Sequence, residues 1–162
     1  MGTIEPLMRA RLKTAITLVW LPLALALLAG AGSGAQAADM KLQAFLLWGT
    51  DDSKPPEGKR YQPVNPGIRQ KLKSLPLKWA NWYEVKRVDF EVAQGATREV
   101  TLSDKCQVKL SKLGTSEVEV LLVGKGKEVM KRRQALPKGD MLVLGGNSPN
   151  STAWLVVLKR NE

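Results

Sequence analysis

The chain has 162 residues, with 25 Lys and Arg against 15 Asp and Glu, one cysteine and no histidine, for a net charge of +10. Without imidazole there is no Ser-His-Asp or Cys-His nucleophile and no histidine-bearing zinc site, and a lone cysteine excludes both an intramolecular disulfide and a thiolate cluster. No cofactor and no metal is therefore expected, and positive charge and aromatic side chains are left as the means of recognition.

Arg9, Arg11 and Lys13 precede an uncharged stretch from Thr14 to Ala38 with an apolar middle, Leu18 to Leu28, and the small-residue triplet Ala35-Gln36-Ala37. A cationic start, an apolar segment and a small-x-small site in that order predict a secretory signal cleaved after Ala37. Met8 is a plausible true start. The alternative is an uncleaved, membrane-anchoring N-terminal helix, because the apolar run approaches the ~20 residues that span a bilayer. Cleavage leaves 22 cationic and 14 acidic residues, a net +8, in one domain from Ala38 to Glu162 destined for the periplasm or the extracellular space.

Lys41–Trp48 reads as a first strand, followed by a polar, proline-broken loop over 49–64. Asn65-Pro66 opens a short helix over about 65–75: asparagine caps it, and proline suits the first helical position. Ile68, Leu72 and Leu75 fall at i, i+4 and i+7 on one stripe, with Arg69, Lys71 and Lys73 off it, and Pro76 ends it. The period then changes to two. Tyr83 and Val85 are odd-numbered whereas Val88, Phe90 and Val92 are even, so a bulge near Lys86-Arg87 is expected to bring both sets to one face. Val100 and Leu102, then Cys106, Val108 and Leu110, continue as one kinked strand or two, and Cys106 is expected to be a small buried hydrophobe. Val118, Val120 and Leu122 alternate with Glu117 and Glu119, and Gly124-Lys125-Gly126 turns the chain. Met141–Leu144 and Trp154–Leu158 are apolar on both faces, as central strands covered from both sides are.

Strands at this spacing predict an antiparallel β-sandwich or a partly open barrel with the helix packed on it. From Tyr83 to Arg160 the strand rhythm resembles immunoglobulin-type sandwich domains, a resemblance that implies a fold class and no activity.

The basic cluster Lys125, Lys127, Lys131, Arg132 and Arg133 is the first candidate site, a surface that attracts polyanions, although alternation sets Arg132 on the face opposite Lys131 and Arg133. The competing reading is a charged edge that deters sheet-to-sheet pairing. Trp79 and Trp82 with Tyr83, flanked by Lys78, Lys86 and Arg87, form the second: rings among cations stack on sugars or bases, or plug the core where elements meet. Gly124-Lys125-Gly126-Lys127 lacks the spacing of a phosphate loop, and there is no specific nucleic-acid motif. Asp51-Asp52 lacks the spacing of a calcium loop, and Asn150-Ser151-Thr152 is a glycosylation sequon. The expectation is a non-enzymatic binding module whose partner is an acidic polymer, an anionic membrane surface or an envelope protein. Alternatives are a structural accessory subunit of an envelope complex with an edge strand completed by a partner, and a hydrolase acting through carboxylates such as Glu117 and Glu119.

Overall fold

The structure is a computed structural model that describes residues 38–147 and 152–161; the expected N-terminal signal, its expected cleavage site and the Asn150 sequon lie outside them. The described chain is an antiparallel β-sandwich. One sheet holds β1 (Met40–Thr50), β2 (Gln62–Pro63), β3 (Asn81–Val92), β8 (Met141–Asn147) and β9 (Ala153–Arg160) in the order β2-β3-β1-β9-β8. The other holds β4 (Thr97–Ser103), β5 (Cys106–Lys112), β6 (Glu117–Gly124) and β7 (Lys127–Ala135) in chain order. Among the described residues a single helix, α1 (Pro66–Lys73), covers the far face of the five-stranded sheet.

Burial follows from these three layers. Leu42, Ala44, Val108, Leu110, Val120, Leu122 and Leu158 fill the space between the sheets. Phe45, Leu47, Leu155 and Val157, on the other face of β1 and β9, meet Val64, Ile68 and Leu72 from the helix layer. The five-stranded sheet is thus apolar on both sides, while the four-stranded sheet turns one face to water and keeps a clean alternation in β5 and β6.

The helix begins as its sequence dictates: Asn65 Oδ1 accepts from the Gly67 N–H at 2.9 Å, with Pro66 at its start. It stops at Lys73, two residues before the expected end, because Ser74 closes it, its N–H and hydroxyl both donating to the Lys71 carbonyl. The bulge lies at Val85, one residue before the expected position: Leu46 pairs with Lys86 and Leu47 with Glu84, and the skipped residue restores Tyr83 to the face of Phe90. The stretch 97–112 is two strands joined at Asp104-Lys105. At Lys125 (φ +50°) and Gly126 (φ +74°) both central residues of the β6–β7 hairpin are left-handed, the backbone of a type I′ turn. One expectation needs correcting. β9 is central, but β8 sits at the sheet edge; its apolar faces report the layers above and below it, which say nothing about neighbours in the plane of the sheet.

Cys106 is buried at 7% exposure, and burial pushes its thiol above its ordinary range. The unfolded chain therefore loses this proton first as pH rises, so its contribution to stability is intact below the ordinary thiol pKa and declines above about pH 8.5. We expect a thiol reagent at neutral pH to label the native protein at least about 100-fold more slowly than the denatured chain, in a timed mass-spectrometric assay. Equal rates would place Cys106 at the surface.

Candidate functional site

Pairing with β6 sets two of the five cations of the basic cluster against carboxylates. Lys131 and Arg133 project from the solvent face of β7 beside Glu119 and Glu117, at 3.1 and 3.7 Å. Lys109–Glu99, at 2.9 Å, repeats the pattern one strand further. Glu117 and Glu119 are thus rungs of an exposed charge ladder on a sheet face, where such pairs contribute at most about 1 kcal/mol each. Lys125 and Lys127 lie on the hairpin turn, held to the β4–β5 turn by the Lys125 N–H donating to the Lys105 carbonyl at 2.8 Å; Asp104 and Glu128 share this end and reduce its charge. Arg132 stands apart. It pairs with Val120, on the face that looks toward the other sheet, and borders a groove beside β8.

The aromatic group is divided by the five-stranded sheet. Tyr83 lies across from Trp48 on the face toward the second sheet, its ring 6.1 Å from that of Trp48, and its hydroxyl donates to the Ser53 carbonyl at 2.7 Å. Trp82 goes to the opposite face, over Gly49 and beneath the helix layer, and Trp79 meets it edge to face at 6.0 Å. Asp51 and Asp52 have structural partners: Asp51 Oδ1 accepts from the Ala80 N–H, and both backbone carbonyls accept from the Asn81 amide.

What the structure assembles instead is a cationic layer around α1. A cleft of about 200 Å3 is lined by Arg69, Lys73, Leu72, Leu75, Leu77, Trp79 and Trp82. Its apolar floor continues the helix stripe into the two indole rings, and its rim is two exposed cations one helical turn apart. The sequence carries the signal for it. Between Glu57 and Glu84 there is no acidic residue, while Lys59, Arg60, Arg69, Lys71, Lys73 and Lys78 all fall there. Within that segment only Lys71 has a carboxylate within ion-pair distance among the described residues, Asp140 at 3.8 Å. The helix also has no acid in its first turn and two lysines in its last, so its polar face is positive from end to end.

No family model matches the chain, and neither a curated protein nor a solved structure matches it.

Proposed function

We propose that this protein is an exported, non-enzymatic β-sandwich module that binds an acidic polymer through the helix layer. The observation that supports this reading is the cleft of about 200 Å3 that Arg69 and Lys73 line together with Trp79 and Trp82, set in a segment with six cations and no carboxylate. Exposed cations that lack local counter-ions attract a polyanion over about a Debye length, roughly 10 Å at 0.1 M salt. The indoles, set edge to face, supply apolar ring surface against which a sugar ring or an acyl segment rests between charged groups, and a nearby cation strengthens that contact. Lys125, Lys127, Lys131 and Arg133 contribute general positive charge, since the second pair is already matched across the ladder.

The test uses two sulfated or carboxylated polysaccharides of known charge density, dextran sulfate and alginate, with uncharged dextran as the control. Reversing Arg69 and Lys73 together to Glu is expected to weaken binding by about 100-fold at 0.05 M salt, and raising salt to 0.3 M is expected to erase most of the difference. Reversing Lys131 and Arg133 together is expected to change affinity by less than about threefold beyond the loss of net charge. An Arg69→Glu/Lys73→Glu double variant that is folded and binds unchanged would overturn the helix-layer reading.

A further inference from the structure

The two sheet edges on the open side of the sandwich differ in kind. β7 carries Lys127, Glu128, Lys131, Arg132 and Arg133, the charged edge that proteins use to prevent strand-to-strand association. Over Met141–Gly145, β8 carries no charge at all, and among the described residues no strand lies beside its outer edge. Backbone hydrogen bonds fix which of its groups are open. The Arg160 N–H donates to the Asp140 carbonyl at 3.0 Å and the Asn161 N–H to the Lys41 carbonyl at 2.9 Å, so even-numbered residues of β9 address β8 and odd-numbered ones address β1. With Leu142 opposite Leu158 and Leu144 opposite Val156, antiparallel alternation leaves the N–H and C=O of Val143 and Gly145 pointing away from the sheet. Asp140 Oδ1 takes the Met141 N–H at 2.7 Å and closes the edge at its start.

A groove of about 420 Å3 runs along this edge, and its two walls differ. On the helix side Leu75 and Leu77 join Met141 and Val143 in an apolar wall; on the other, Arg132 and Gln134 reach in from β7. Arg132 is exposed and has no ion pair among the described residues. Among the described residues the only charged side chains lining the groove are Lys71, which Asp140 faces at 3.8 Å, and Arg132.

We propose that β8 accepts an added strand from a partner polypeptide, an extended segment of alternating apolar and acidic residues. Strand side chains alternate between faces, so an antiparallel or parallel strand hydrogen-bonded to Val143 and Gly145 sends one set onto Leu75, Leu77 and Met141 and the other toward Arg132. A second copy of this chain fits less well, because Met141–Gly145 of another β8 carries no acidic side chain to offer Arg132. This site is independent of the acidic-polymer reading: it uses the backbone of β8 and an arginine outside the helix layer.

The experiment measures fluorescence anisotropy of two labelled octapeptides, one alternating Val and Glu and one alternating Val and Lys, with the purified protein at 0.15 M salt. The Val-Glu peptide is expected to bind and the Val-Lys peptide to bind at least about tenfold more weakly. Val143→Pro removes an N–H that β9 does not use, and Arg132→Glu reverses the charge of the second wall. Each is expected to weaken the Val-Glu peptide by about tenfold or more, whereas Arg98→Glu on the far edge, β4, is expected to leave it unchanged. Circular dichroism of each variant confirms folding, and Arg132→Glu carries the test if Val143→Pro does not fold. No binding of the Val-Glu peptide up to 1 mM, equal binding of both peptides, or a folded Val143→Pro with Arg132→Glu unaffected would overturn the proposal. A dimer in sedimentation that the Val-Glu peptide does not dissociate would overturn the choice of occupant. Loss of dextran sulfate binding in Arg69→Glu/Lys73→Glu with peptide binding retained separates the two sites.

Discussion

Replacing Arg160 by methionine is expected to lower the free energy of unfolding by about 3 kcal/mol, read from urea denaturation. Arg160 is 7% exposed at the end of β9, and its Nη1 donates to the carbonyls of Leu136 at 3.0 Å and Thr115 at 2.9 Å, with Ser116 Oγ at 3.4 Å. One side chain of the five-stranded sheet thus ties together the β5–β6 turn and the β7–β8 connection of the other. Two effects oppose each other. A buried guanidinium with no carboxylate partner among the described residues costs desolvation, which methionine would recover. Methionine also strands the Leu136 carbonyl, on a residue with 0% exposure, and an orphaned buried acceptor costs about 1–3 kcal/mol before the other lost charged bonds are counted. We expect the second effect to win because three acceptors lose one donor together. A loss under about 1 kcal/mol would mean that water replaces the guanidinium. Lys112 is the instructive contrast: it is 2% exposed, but its Nζ donates to Ala38, an exposed residue whose carbonyl has water as an alternative.

Gly49→Ala is expected to destabilise by about 2 kcal/mol and to lower affinity for dextran sulfate as well. A Cβ at Gly49 would lie 2.5 Å from two atoms of the Trp82 ring and 2.9 Å from a third, closer than any packed carbon tolerates. No backbone strain enters, since Gly49 is not among the left-handed glycines. Removing a glycine from a strand would by itself stabilise by about 0.4–1 kcal/mol through the unfolded chain, so the sign depends on whether the indole can yield. The open space available to it is the cleft that Trp82 lines with Trp79, Arg69 and Lys73. Relief of the clash therefore consumes the binding surface. Stability and affinity should fall together, with a shift in tryptophan emission; a more stable variant with unchanged affinity would show that the ring has another exit.

Local physics made much of the fold legible. Asn65-Pro66 marks a helix start because capping needs only neighbouring residues, and the odd-to-even switch between Val85 and Val88 marks a bulge because a strand has only two faces. What escaped depends on which strands become neighbours. Nothing near Lys131 and Arg133 in the sequence says that Glu119 and Glu117 will stand beside them; the β6–β7 register does. Met141–Leu144 reads as central because two covered faces and two flanking strands leave the same apolar pattern in a sequence. Trp79, Trp82 and Tyr83 read as one group, yet successive strand residues point to opposite sides, which separates Tyr83 from Trp82. The cationic layer was legible as a run without carboxylates from Gly58 to Tyr83, a signal that emerges from counting across loop, helix and connector together.

The partnership of β1 with β9 has a consequence for the order of events during biosynthesis. The first strand of the domain lies between β3 and the last strand, and Asn161 hydrogen-bonds back to Lys41. A ribosome must therefore deliver almost the whole polypeptide before this sheet can close, and contacts so distant along the chain form slowly. Until then the nascent molecule lacks its central hydrophobic wall, the condition that the export proposed above would demand of a chain entering a narrow translocation channel. A premature stop before Ala153 would remove the strand between β1 and β8 and leave nothing to join them.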